Sequence, residues 1–185
     1  MKFVKRSLQG LLFIILILIL FRGWIYRHSV SYVAIGERSA YCVSSEELKY
    51  YIDSTADCQL DTSIEDLVRL SLSITSQHLS FTTSNNEVNP NKLIYSKTAH
   101  CVGYATFFAS TCNYILDRYG MGDKWTAKAR RGQLYLFGEN VHKYFSSPFF
   151  KDHDFVLITN KTTGEVLAVD PTLNDYLHID LVRCR

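Results

Sequence analysis

Ser96–Thr111, SKTAHCVGYATFFAST, reads as the opening of a buried helix that carries a cysteine in its first turn. Behind Cys101, the residues Val102, Ala105, Phe108, Ala109 and Cys112 recur at steps of three and four, and Ile115, Leu116 and Tyr119 continue the stripe. Gly120 suits a C-cap and Thr98 or Ser96 an N-cap, giving a helix of about 19 residues, roughly 28 Å at 1.5 Å per residue. A thiol at that end meets unpaired N–H groups and the positive end of the helix dipole, which favour thiolate over thiol. Taken alone, Cys101 also fits as one more small core residue, so the rest of the chain must decide.

Length and composition bound the answers. The 185 residues suffice for one domain with a core and an appendage. A net charge of +2, with both signs well mixed, gives no basic patch and argues against a nucleic-acid partner. Five cysteines is an odd number. In an oxidising compartment Cys42, Cys58, Cys112 and Cys184 could form two bridges and leave Cys101 free, whereas in a reducing one all would be thiols.

The N-terminus is dominated by GLLFIILILILF, Gly10–Phe21, followed by Trp24 and Tyr26. Counted from Leu8 to Tyr26 this is 19 residues, interrupted by Gln9 and Arg22. That is about the minimum for a bilayer span if Arg22 snorkels and the aromatics sit at the headgroups. A signal peptide is the competing reading, but RGWIYRHSVSY after the block has bulky and charged residues where a cleavage site wants small ones. A buried soluble helix is the third. Lys2, Lys5 and Arg6 favour an N-terminus inside and a domain on the extracytoplasmic side of a single-pass membrane protein. The expected divisions are an anchor or signal at 1–26, a connector at 27–43 and one domain at 44–185.

Two capping boxes follow, Ser44-x-x-Glu47 and Thr62-x-x-Glu65, the second opening a helix to about His78. Thr82–Asn91 reads as a polar loop. Past Gly120 the pattern turns to strands: Trp125–Arg131, Gln133–Phe137, then Asp154–Thr159 and Val166–Val169 joined by a turn at Asn160–Gly164, with Leu177–Val182 as a last short strand. Helices first and antiparallel strands afterwards predict the α+β class, with the N-terminal helices packed on the sheet.

In that hairpin His153 heads one strand and Asp170 ends its partner. A turn centred near Thr162 would set the two opposite or nearly so. A histidine steered by a carboxylate, packed against a cysteine at a helix start, meets the needs of a thiol nucleophile: a base for the thiol proton and a group that holds the base. A metal site from His100, Cys101, His153 and Asp152 or Asp154 is weaker, because adjacent residues on a helix diverge by about 100° and no CxxC or HExxH spacing is present. No metal or other cofactor is therefore expected.

The order Cys, His heading a strand, Asp-Pro-Thr ending the next resembles the transglutaminase-like superfamily, relatives of papain-type cysteine proteases. The resemblance covers roughly 64–173 and rests on HCVGYATFF, DHDFVLI and VDPT, with 52 residues from Cys101 to His153 and 17 from His153 to Asp170. It implies a papain-like or transglutaminase-like core, Cys101 as nucleophile, His153 as base and acid, and Asp170 as orienting carboxylate. The expected partner is a protein or peptide substrate, attacked at an amide bond through a thioester. Hydrolysis is favoured over acyl transfer because the chain is short and has no acidic calcium loop; a catalytically inactive membrane-tethered binding module is the other alternative. The aromatic-rich segment Tyr135–Phe150 fits a cleft wall beside the hairpin and fits the core equally well.

Overall fold

The computed structural model describes residues 2–56, 63–84 and 87–185. In chain order its elements are α1 (Lys2–Leu20), α2 (Arg22–Ser29), β1 (Val30–Glu37), α3 (Glu46–Thr55), α4 (Ile64–His78), β2 (Ser80–Phe81), α5 (Pro90–Ser96), β3 (Thr98–Ala99) and α6 (Cys101–Arg118). There follow β4 (Trp125–Leu136), β5 (Glu139–Asn140), two short 3-10 turns (Val141–Tyr144 and Pro148–Phe150), β6 (His153–Asn160), β7 (Val166–Val169) and α7 (Pro171–Leu177). This is an α+β fold with the N-terminal helices packed against an antiparallel sheet of order β1-β4-β6-β7, with β5 folded back on β4.

Helix α6 is central because it is apolar or small on nearly every side. Tyr104, Phe107, Phe108, Cys112, Ile115 and Leu116 are fully buried, as expected of a helix with no polar face. It joins one core with Leu67, Leu72 and Ile74 of α4 and with Ala127, Val156, Ile158 and Val169 of the sheet. Its cap is His100, whose Nδ1 accepts from the Val102 N–H at 3.2 Å, rather than Ser96 or Thr98. Ser96 ends α5, and Thr98 pairs with Ser80 in a short parallel bridge. Gly103 permits the close fit of this junction: a Cβ there would lie 2.7 Å from the Ala99 Cβ. Gly120, at φ +70°, turns the chain out of the helix as expected.

Several boundaries differ from the sequence reading. The N-caps of α3 and α4 are Ser45 and Ser63, each accepting from the N–H three residues on, at 3.3 and 3.2 Å; Thr62 lies outside the described residues. The polar loop ends in α5, capped by Asn89 with Pro90 at its first position. The two short strands expected around Gly132 are one strand, because the ring of Phe155 occupies the space over that glycine: a Cβ there would be 2.4 Å from its Cε1. The last strand expected at Leu177–Val182 does not form: α7, which Asp170 caps, ends at Leu177, and beyond it Val182 makes only an isolated bridge with Ala168. Cys42, Cys101, Cys112 and Cys184 are free thiols, so the two-bridge pairing does not form among them; Cys58 lies outside the described residues.

The largest differences are N-terminal. Residues 27–43 are not merely a connector, since β1 pairs with β4 from Val30↔Leu136 to Glu37↔Arg130. The apolar stretch breaks at Phe21, and the segments Gln9–Leu20 and Arg22–Ser29 meet at 70°. Among the described residues no single helix is long and apolar enough to cross a membrane, though this bent pair passes on length and composition. Arg22 holds the bend: its Nε donates to the Leu177 carbonyl at 2.6 Å and its Nη2 to that of His178 at 3.2 Å.

Candidate active site

The hairpin register sets His153 and Asp170 on a diagonal. Val156 pairs with Val169 and Thr159 with Val166, so Asp170 follows the last paired residue and falls level with Phe155, two residues from His153. The expected register, with the turn centred near Thr162, is therefore offset by two residues. Side chains alternate along a strand, so positions 153, 155 and 170 share one face, and a diagonal pair remains in reach. His153 Nε2 lies 2.7 Å from Asp170 Oδ2.

Asp170 is buried and fully engaged. Its Oδ1 accepts the Leu173 N–H at 3.1 Å, which caps α7, while Oδ2 also accepts the Tyr32 hydroxyl at 2.8 Å. Burial alone would raise its pKa, but the facing His153, the Leu173 N–H and the Tyr32 hydroxyl outweigh it and hold the carboxyl below its usual range. For His153, burial is the largest influence and opposes the charged ring. The Asp170 carboxylate and the hydrogen bond and charge of Cys101 overcome it, and the imidazole is raised well above its ordinary value.

Cys101 comes to the head of β6 from the first position of α6, where its N–H has no partner within the helix. Its Sγ lies 3.7 Å from Asp154 Oδ2. Asp154 is completely buried and is gripped by Arg38, Nε to Oδ1 at 2.6 Å and Nη2 to Oδ2 at 3.0 Å. Cys101 and His153 line a common cavity of about 230 Å3, closed by Phe81, Leu134, Phe145, Phe149 and Phe150. The aromatic segment Tyr135–Phe150 contributes Val141, His142, Phe145, Phe149 and Phe150 to that lining. Cys112 differs sharply from Cys101: burial in the core pushes its thiol up to about 12, and it serves packing.

A larger cavity of about 570 Å3 lies between the bend at Phe21, α4 and residues 178–181. Its polar walls include Arg22, Arg27, Arg69 and Asp180, and it contains neither Cys101 nor His153. Among the described residues no three or more His, Cys, Asp or Glu side chains are grouped to hold a metal ion.

Two residues of the site were missed by sequence reasoning, Tyr32 and Arg38. The signal for Tyr32 was present in VSYVAI, rich in strand-forming residues, but it sits so close to the apolar N-terminal run that it reads as a tail of that run. Arg38 carries no local signal, since its partner is 116 residues away. Comparison with protein-family models, with curated proteins and with solved structures finds no match to the chain.

Proposed function

We propose that the chain is a membrane-anchored, transglutaminase-like thiol enzyme that acts on amide bonds, with Cys101 as nucleophile, His153 as base and acid, and Asp170 as the group that orients His153. The observation that carries this reading is the 2.7 Å contact of His153 with Asp170 at the wall of the cavity that also holds Cys101. With Nε2 engaged by the carboxylate, Nδ1 is the ring nitrogen left to take the thiol proton. The Cys101 sulfur then attacks the substrate carbonyl carbon. As the tetrahedral adduct collapses, the C–N bond breaks and the amine leaves with the proton held by His153. Water, deprotonated by the same ring, cleaves the thioester and restores the thiol. The Cys101 N–H, unpartnered within its helix, is one oxyanion donor.

The apolar walls of the cavity favour a substrate with a large apolar group near the scissile carbonyl, and the absence of an acidic calcium loop favours hydrolysis over transfer to an amine. Membrane attachment through α1 is supported by its composition and by the exposure of Leu11–Phe21, between 37 and 66% for each large apolar residue. A tethered binding module without turnover is the second reading, favoured by the Cys101–Asp154 contact, which a purely structural thiol could also make.

The test is site-resolved alkylation of the full chain in detergent, in a Cys42→Ser background because Cys42 is exposed. Iodoacetamide is expected to modify Cys101 at neutral pH about tenfold faster or more in the wild-type site than in His153→Ala. Equal rates in the two proteins remove His153 as the base and leave the binding module.

A further inference from the structure

Behind Asp170 a chain of hydroxyl groups runs back to the N-terminal helices. The Tyr32 hydroxyl donates to Asp170 Oδ2 at 2.8 Å, and the Tyr26 hydroxyl lies 2.7 Å from the Tyr32 oxygen. Because the Tyr32 proton is committed to the carboxylate, Tyr26 is the donor in the second bond. Tyr32 is fully buried, its ring centroid 5.1 Å from that of Phe155 and 6.3 Å from the imidazole of His153. Tyr26 stands on α2, whose first residue is fastened by Arg22 to the Leu177 and His178 carbonyls. Those carbonyls end the helix that Asp170 begins. The segment after the apolar helix thus reaches Asp170 by two routes, through the tyrosines and through α7.

We propose that Tyr32 is a positioning residue for the His153–Asp170 pair, backed by Tyr26, so that α2 belongs to the site and is not a passive link to α1. The inference rests on the reading that this pair serves Cys101. Its physical basis is the cost of a buried carboxylate, which three donors hold ionised. Without the Tyr32 hydroxyl two remain, and Asp170 protonates at higher pH. A neutral Asp170 no longer balances a charged His153, and the ring loses one of the bonds that fix it. The titratable groups around the carboxylate are His153 on β6, Tyr32 on β1, Tyr26 on α2 and, through His153, Cys101 on α6 with the Arg38–Asp154 pair beside it.

The experiment is the pH profile of Cys101 alkylation in the full chain in detergent, in the Cys42→Ser background, comparing the parent with Tyr32→Phe, Tyr26→Phe and His153→Ala. Tyr32→Phe keeps the ring and removes only the hydroxyl. Its acid limb is expected to move upward by about half to one pH unit, a roughly threefold to tenfold change in the governing ionisation constant. Tyr26→Phe is expected to move it in the same direction by less, and it stands in should Tyr32→Phe fold poorly. Acid limbs of both tyrosine variants that superimpose on the parent, while His153→Ala is slow, overturn the positioning role and leave the proposed function standing. A parent no faster than His153→Ala overturns both.

Discussion

Arg38 grips Asp154 at both carboxylate oxygens, 2.6 and 3.0 Å, across the join between the end of β1 and the start of β6. Asp154 is completely buried and Arg38 is 27% exposed, so the pair lies between a core ion pair and a surface one. Breaking a buried pair from one side strands a charge and costs about 3–5 kcal/mol; the partial exposure of Arg38 lets water recover some of this. Arg38→Ala is therefore expected to destabilise the protein by roughly 2–4 kcal/mol in urea unfolding. The double variant Arg38→Met/Asp154→Leu should recover much of that loss. A double variant as unstable as the single one would mean that the damage is not the stranded carboxylate.

The His153–Asp170 contact makes stability depend on pH. The imidazole is raised well above its ordinary value in the folded protein, so its contribution is complete below about pH 6.5, the unfolded value, and is lost as pH rises through the folded one. The carboxyl is lowered, so its contribution is complete above its unfolded value near about pH 3.9 and is lost as pH falls through the folded one. The pair works fully between those limits. The difference in melting temperature between wild type and Asp170→Asn is expected to be greatest between about pH 4 and 6.5 and to shrink on either side. A difference that stays flat from acid to alkaline pH would show that the folded pair does not carry opposite charges.

Gly132 faces His153 across the β4–β6 ladder, and the Phe155 ring lies where its side chain would stand. A Cβ at this position meets ring carbons at 2.4 and 2.8 Å and the Val33 carbonyl at 3.2 Å. Phe155 is fully buried beside Tyr32 and cannot swing into solvent. Gly132→Ala should accordingly cost about 1–3 kcal/mol by overpacking, and Gly132→Ala/Phe155→Leu less than the sum of its parts. Additive losses in thermal or urea unfolding would remove the steric account.

These residues show why part of the molecule was legible in its sequence. Helix α6 and the β6–β7 hairpin announce themselves because their periodicity is local, and the cysteine, histidine and aspartate ride on them. The hairpin register was displaced because the turn is wider than it reads, its ladder closing at Asn160 and Glu165; alternation along β6 still brought the pair together, on a diagonal. Gly132 looked like a break because glycine usually is one, and only the distant Phe155 explains it. Tyr32 and Arg38 were hidden by the neighbouring apolar run, which masks a strand beginning eight residues after Arg22. Contacts spanning 138 and 116 residues leave no mark on local pattern.

The same N-terminal arrangement decides where the chain can be cut. β1 supplies Tyr32 to the smaller apolar cluster of Phe155, Ala168 and Val182, and it also holds the C-terminal tail, with the Tyr32 N–H bonded to the Arg183 carbonyl at 2.8 Å and the Arg185 N–H to the Tyr32 carbonyl at 2.9 Å. A chain starting at residue 21 keeps α2, β1 and the tyrosine pair, and is expected to melt within a few degrees of the full protein. A chain starting at residue 38 loses the buried tyrosine, bares the outer edge of β4 and frees the tail. Emptying one such aromatic site costs about 3–5 kcal/mol, a large part of the roughly 5–15 kcal/mol that holds a domain together, and an exposed strand edge invites pairing with other chains. The shorter protein should therefore be aggregated or non-cooperative in thermal circular dichroism and size-exclusion chromatography. A monomer that melts cooperatively at the temperature of the 21–185 protein would return β1 to the role of a connector and remove Tyr32 from any part in the site.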